Sequence, residues 1–247
     1  MRGGTWREGG RRSGGLPGRV AVAGGLEEGR QSHMRRYGRL QRPPHHSYPL
    51  HIRGRGVRLT VLVGEYDVNN SDSEGIQVSH VTQHPDFNRF TYDNDIAVLR
   101  LAESIPENLY RPACLPELDD DNRLEGVEAI VSGWGSTIEK GPPSSIPMKA
   151  QVNIWAQEEC SGAGYGRRKV TPRMLCANAP ERDSCTGDSG GPLLLPRPHY
   201  TIVGIVSWGR GCARQGYPGV YARVAKFLPW LKLALRHACT CQPPHYH

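Results

Sequence analysis

The stretch Asp183-Ser184-Cys185-Thr186-Gly187-Asp188-Ser189-Gly190-Gly191-Pro192-Leu193 decides how the rest of the chain is read. It sets one serine among glycines, directly after an acidic residue and just ahead of apolar ones. A hydroxyl nucleophile on a tight loop needs such neighbours. Small residues let a substrate carbonyl come close to Ser189, and the backbone N–H groups of Gly187 and Ser189 can converge on one oxygen as an oxyanion hole.

Gly187-Asp188-Ser189-Gly190-Gly191 also satisfies the Gly-x-Ser-x-Gly elbow of α/β-hydrolases. That fold places its acid and histidine after the serine and continues into a helix. No Asp or Glu follows Ser189, and Pro192 and Pro196 bracket a leucine run that reads as a strand, so this reading is set aside. Thirty glycines, 20 prolines and 7% aromatics suggest short strands joined by many turns. No apolar run is long enough to span a bilayer and no internal repeat is visible, so neither a membrane nor a repeat architecture is expected.

Working outward, Leu59-Thr60-Val61-Leu62-Val63-Gly64-Glu65-Tyr66-Asp67-Val68 is a β-branched strand running into an acidic loop. Tyr92-Asp93-Asn94-Asp95-Ile96-Ala97-Val98-Leu99-Arg100-Leu101 is an aspartate leading an alternating strand. Cys114-Leu115-Pro116, Gly133-Trp134-Gly135, Met174-Leu175-Cys176-Ala177, Ser207-Trp208-Gly209 and Gly219-Val220-Tyr221 follow. In this order, from about Arg58 to Leu235, these segments resemble the chymotrypsin/trypsin family of serine endopeptidases.

The resemblance implies an all-β fold of two antiparallel six-stranded β-barrels, the first incomplete, plus a C-terminal helix around Val224 to Leu235. It divides the chain into a basic Gly/Arg-rich segment over 1–57, a partial protease domain over 58–235 and a tail over 236–247. It makes Ser189 the nucleophile, Asp95 the triad carboxylate, and Gly187 with Ser189 the oxyanion hole. Asp183 would floor the primary pocket, with Ser207, Trp208, Gly209 and Gly219 along its walls. A desolvated carboxylate there would take the counter-charge of a substrate Arg or Lys, so cleavage after those residues is expected. Asp188 corresponds to the acid that pairs with the new α-amino group after zymogen cleavage. Cys160 with Cys176, and Cys185 with Cys212, correspond to two family bridges. Cys114 corresponds to a cysteine that often bridges to a pro-region or light chain, and no partner for it is evident in this chain.

The resemblance fails ahead of Arg58. Residues 1–58 hold 13 Arg against 3 Glu, a net +10, while the remainder carries −3. The segment lacks periodicity and reads as disordered loop or as sequence foreign to the domain. Neither a signal peptide, an activation site nor the family's Thr-Ala-Ala-His-Cys segment is legible there. His51 is the stand-in for the base, by its distance from Gly64, whereas His80 and His84 fall on what the family makes surface. Without that segment the chain as written is expected to be inactive and zymogen-like.

Glu65, Asp67, Asp72 and Glu74 sit where some relatives bind calcium, a weak candidate site because Gln77 stands where a further acidic ligand is usual. Otherwise no cofactor and no metal are expected. The expected partners are protein or peptide substrates and protease inhibitors, without nucleic acid. Seven cysteines without metal-type spacing suggest an extracellular, disulfide-bonded protein. The alternatives are a non-catalytic protease homologue acting as a binding partner or cofactor in a cascade, and a polyanion binder working through its arginine-rich leader.

Overall fold

Strand-forming residues alternate with Gly, Pro and Asn turns through most of this chain, and hydrogen bonding resolves them into two sheets and a ribbon. The computed structural model describes residues 20–23, 27–28, 48–49, 59–70, 75–105, 113–117, 123–166, 168–179, 184–185, 187–196 and 199–236. In chain order the strands are β1 (Val20–Ala23), β2 (Glu27–Glu28), β3 (Tyr48–Pro49), β4 (Thr60–Val61), β5 (Ile76–Gln83), β6 (Ala97–Leu101), β7 (Glu128–Gly133) and β8 (Met148–Ile154). Helix α1 (Gln157–Gly162) precedes β9 (Met174–Asn178), β10 (Pro192–Leu195), β11 (Thr201–Trp208) and β12 (Gly219–Arg223). The chain then makes a 3-10 turn over Val224–Phe227 and helix α2 (Leu228–Ala234).

The second half forms a closed antiparallel barrel in the order β10-β11-β12-β9-β8-β7, sealed where Leu193 of β10 pairs with Val131 of β7. Inward-facing Ala129, Val131, Val152, Ile154, Leu175, Leu193, Val203 and Tyr221 fill it. Period-two alternation is plain in β8, where Val152 and Ile154 are buried and Asn153 between them is exposed. By contrast β9 and β12 are buried on both faces, because β9 is covered outside by α1 through the Cys160–Cys176 bridge.

The first half is a four-stranded antiparallel sheet in the order β1-β6-β5-β4, with β2 and β3 paired as a separate ribbon. Among the described residues this sheet does not close, in line with an incomplete first barrel. Its edge corrects one expectation: Val20-Ala21-Val22-Ala23, inside the segment read as loop, pairs along β6 from Arg100 to Ala97. Four β-branched or small apolar residues were too short a run to stand out in arginine-rich surroundings.

The C-terminal segment covers the seam between the halves. Phe227 and Leu231 are buried with Ile205 and Ala222 of the barrel, with Ile96 and with Val98 of β6. At roughly 1.5–3 kcal/mol per fully buried large side chain, this cluster is a main tie between the two sheets. Pro229 falls in the first turn of α2, where its missing N–H has no intrahelical partner to lose. No helix among the described residues is long and apolar enough to cross a membrane.

Candidate active site

The loop 187–191 is held from below by the carboxylate that precedes the serine. Gly135 N–H donates to Asp188 Oδ1 at 2.8 Å, and Cys185 N–H donates to Oδ2 at 2.9 Å. The carboxylate lies against Gly133 and Gly135, where a Cβ on either residue would overlap Oδ1, which is why Gly-Trp-Gly stands there. Burial pushes the Asp188 carboxyl up, against the two N–H bonds that favour its charged form. No cation faces it among the described residues.

Within this loop the backbone donors divide cleanly. Asp188 N–H donates to the Cys185 carbonyl, Gly190 N–H to that of Val206, and Gly191 N–H to that of Asp188. The N–H groups of Gly187 and Ser189 donate to no acceptor among the described residues, and neither does the Ser189 hydroxyl. Gly187 sits at φ +104°, which an L side chain rarely adopts, and a Cβ there would lie 3.1 Å from Gly135 Cα. The Cys185–Cys212 bridge, with Cα atoms 5.1 Å apart, ties the loop to the segment after β11.

Asp95 approaches from the other half of the molecule. It ends a tight loop in which Asn88 bridges back to Asp93, and Tyr92 and Asn94 both hold φ +58°. Its carboxylate is buried, 6% exposed, and Oδ2 accepts the hydroxyl hydrogen of Ser207 at 2.6 Å. The sequence pattern assigned Ser207 to the pocket wall; the structure joins it to Asp95. Only a contact between residues 112 apart carries that information, so no local signal could have found it.

Two further interactions also escaped sequence reading. Arg173 grips Asp93 with two guanidinium nitrogens, Nε at 3.0 Å from Oδ1 and Nη2 on Oδ2, and Thr171 donates to Oδ1 at 2.7 Å. Burial acts to raise the Asp93 carboxyl, and the Arg173 and Thr171 bonds outweigh it and hold it below its usual range. Lys169, from the same loop, donates to the Phe90 carbonyl at 3.2 Å. The loop carrying Asp95 is thereby clamped onto the second half.

On the wall side, Gly209 and Gly219 face each other, a Cβ on Gly209 lying 3.9 Å from Gly219 Cα, so a larger side chain would narrow the gap. Trp208 packs edge-on against Tyr165 with ring centroids 4.7 Å apart, and its Nε1 is buried with no hydrogen-bond partner among the described residues. Asp183 and His51 lie outside the described residues. His84 lies with its ring against Phe227 and Trp230, and its Nδ1 accepts Asp86 N–H.

The Cys160–Cys176 and Cys185–Cys212 bridges are both present. The expectation for Cys114 is corrected. It is buried between Tyr200 and Ile202 and disulfide-bonded within the chain, its partner lying outside the described residues, where the remaining cysteines are Cys239 and Cys241. In the acidic loop, Asp67 uses both oxygens on Asn69 N–H and the Asn70 side chain, and Gln77 donates to Thr60. Asp72 and Glu74 lie outside the described residues, and the described ones contain no cluster of three metal-ligating side chains.

A closed six-stranded barrel, a second antiparallel sheet and a short C-terminal helix make up the fold of trypsin-like proteins. The Trypsin family model matches residues 51–231, and the chain belongs to the trypsin family of serine endopeptidases. It is 39% identical over 180 residues to Trypsin-1 of Astacus astacus, covering 70% of this chain and 74% of that protein. It is 43% identical over 179 residues to Trypsin 5G1 of Aedes aegypti, covering 71% and 65%. Serine protease 56 of Mus musculus is 39% identical over 181 residues, covering 70% of this chain but 29% of that longer protein. The chain thus spans about three quarters of the first relative and less than two thirds of the other two.

Proposed function

We propose that this chain is an endopeptidase that hydrolyses peptide bonds after Arg or Lys through an acyl-enzyme on Ser189. The observation that carries this reading is the pair of N–H groups at Gly187 and Ser189 that meet no acceptor among the described residues, with a Ser189 hydroxyl equally without a partner among them, in a loop whose other described N–H groups are used. Such donors, fixed before reaction, stabilise the oxyanion that forms when Ser189 Oγ adds to the scissile carbonyl. The Ser189 proton passes to a histidine base and then to the leaving amine. Water next adds to the acyl carbonyl, and collapse returns the proton to Ser189 Oγ as the acid product departs. Asp95, its charge stabilised by the Ser207 hydroxyl, holds that histidine in the required tautomer. Against the expectation of an inactive chain, His51, the residue at which the family match begins, is the one we assign as base. Asp183, six residues before the nucleophile, pairs with the substrate cation between the walls at 207–209 and 219–221.

Extracellular secretion, a zymogen precursor and recognition by protease inhibitors belong to the same reading. Its disulfides suit an oxidising compartment. The second reading, a non-catalytic homologue that binds partners in a cascade, is favoured by Tyr48-Pro49-Leu50-His51-Ile52 standing where relatives have Thr-Ala-Ala-His-Cys. A fluorophosphonate probe separates the two. The protease reading expects labelling of the purified chain that is lost in Ser189→Ala and strongly reduced in His51→Ala. A folded chain that takes no label supports the binding protein.

A further inference from the structure

Three cations next to the candidate site have no carboxylate partner among the described residues, and each is seated on an aromatic ring. The Arg89 guanidinium lies 4.7 Å from the Phe90 ring centre. Lys169 Nζ lies 5.3 Å from the Trp208 ring and 5.8 Å from that of Tyr92. The Arg210 guanidinium lies 4.9 Å from the Tyr217 ring, and its Nη1 donates to the Tyr217 hydroxyl at 3.2 Å. The two ion pairs of the described residues, Arg173 with Asp93 and Arg214 with Glu139, use none of the three.

The seats are continuous. Phe90 meets Lys169 through its carbonyl, Lys169 meets Trp208, Trp208 meets Tyr165 edge to face, and Tyr165 meets Tyr217 edge to face at 5.3 Å. Arg210 N–H closes the run on the Tyr165 hydroxyl. The strip therefore crosses from the loop that carries Asp95 to Trp208 and Gly209, which the protease reading places along the substrate pocket. Phe90 is 74% exposed, and Arg89 and Arg210 are exposed as well.

Resting on the protease reading above, we propose that this strip selects substrates carrying Asp or Glu within a few residues of the cleaved Arg or Lys. The rings hold the cations in place and leave N–H donors free for carboxylates. Aromatic seating also reduces the side-chain freedom that an exposed ion pair would otherwise lose on binding. Uncompensated positive charge along a cleft both steers an acidic segment toward it and disfavours a basic one. Lys169 is central, because of the three cations it alone touches both halves of the molecule, at the Phe90 carbonyl and the Trp208 ring.

The test uses the full chain and fluorogenic peptides with a fixed Arg at the cleaved position and Glu, Gly or Lys at each neighbouring position. At least one position is expected to favour Glu over Gly by about tenfold in kcat/KM at low salt, three exposed charge contacts together sufficing for this. The preference should fall below about twofold in ~0.5 M salt, where exposed pairs are screened, and in the Arg89→Ala/Lys169→Ala/Arg210→Ala variant. Lys169→Arg should retain it. Equal turnover of Glu and Gly peptides, or a preference that survives the triple variant, overturns the proposal. If no peptide is turned over and no probe labels Ser189, the protease reading fails separately. Equilibrium binding of the same peptides by fluorescence anisotropy then decides, with equal affinity for Glu and Gly peptides, or tighter binding of heparin than of either, overturning it.

Discussion

Asp188 shows how a single residue can hold a loop at a cost. Its carboxylate accepts two backbone N–H groups and is closed in by Gly133 and Gly135, yet burial raises its carboxyl above the ordinary value. An acid whose folded-state pKa is raised stabilises the folded chain most while protonated. Its contribution is complete below the unfolded value of 3.8 and declines as pH rises through that value toward the folded one. Denaturant titrations at successive pH values above 3.8 should therefore show falling stability that Asp188→Asn flattens; an unchanged slope would mean that another group dominates. Gly135→Ala should destabilise by about 1–3 kcal/mol, since the added methyl must displace the carboxylate. Ser207→Ala leaves a buried carboxylate oxygen short of one donor and should cost about 1–3 kcal/mol, read from the shift of the unfolding midpoint. Ser189, Gly187 and Asp188 were legible in sequence because one short loop carries them together. The bond from Ser207 to Asp95 was not, because it depends on how β11 meets the first sheet.

The loop 88–95 is the element on which the placement of Asp95 depends. Two non-glycine residues at positive φ, Tyr92 and Asn94, flank Asp93, and each such residue costs of order 1 kcal/mol unless its surroundings enforce it. Arg173 and Thr171 supply that enforcement from the second half. Arg173 is partly exposed, at 44%, so Arg173→Ala should lower global stability by only about 1 kcal/mol. Its larger effect should be local, with hydrogen exchange at 92–96 accelerating while the barrel amide of Val206 stays protected. Equal acceleration at both places would show that the clamp is not local. The sign for Asp93 is opposite to that for Asp188: its depressed carboxyl stabilises above 3.8, and the contribution is lost as pH falls through the lower folded value. The strands flanking this loop were readable from their apolar runs. The clamp was not, because a threonine and an arginine in a connecting segment carry no periodic signal.

Across the whole molecule, the two halves are held together by the cluster beneath α2, by the clamp on Asp93 and by Ser207 on Asp95. Leu231→Ala, which hollows the seam at a fully buried position, should cost about 2–5 kcal/mol and lower the cooperativity of unfolding between the halves. The closed second barrel was legible because family motifs and two bridges fix its register. The first half was legible only from Leu59 onward. The pairing of Val20–Ala23 with β6 and the bridge at Cys114 emerged from long-range contacts instead. Peptide mapping without reduction should find Cys114 linked to Cys239 or Cys241; a free Cys114 thiol would contradict the bonded state described here.

The most direct test of the account is the intact mass of the folded chain after brief exposure to an arginine-like ester titrant such as a guanidinobenzoate. The account predicts one acyl group per chain, located on the peptide containing Ser189, absent in Ser189→Ala, and formed far more slowly with a phenylalanine ester. A folded chain that gains no acyl group, or gains it equally from both esters, would contradict it.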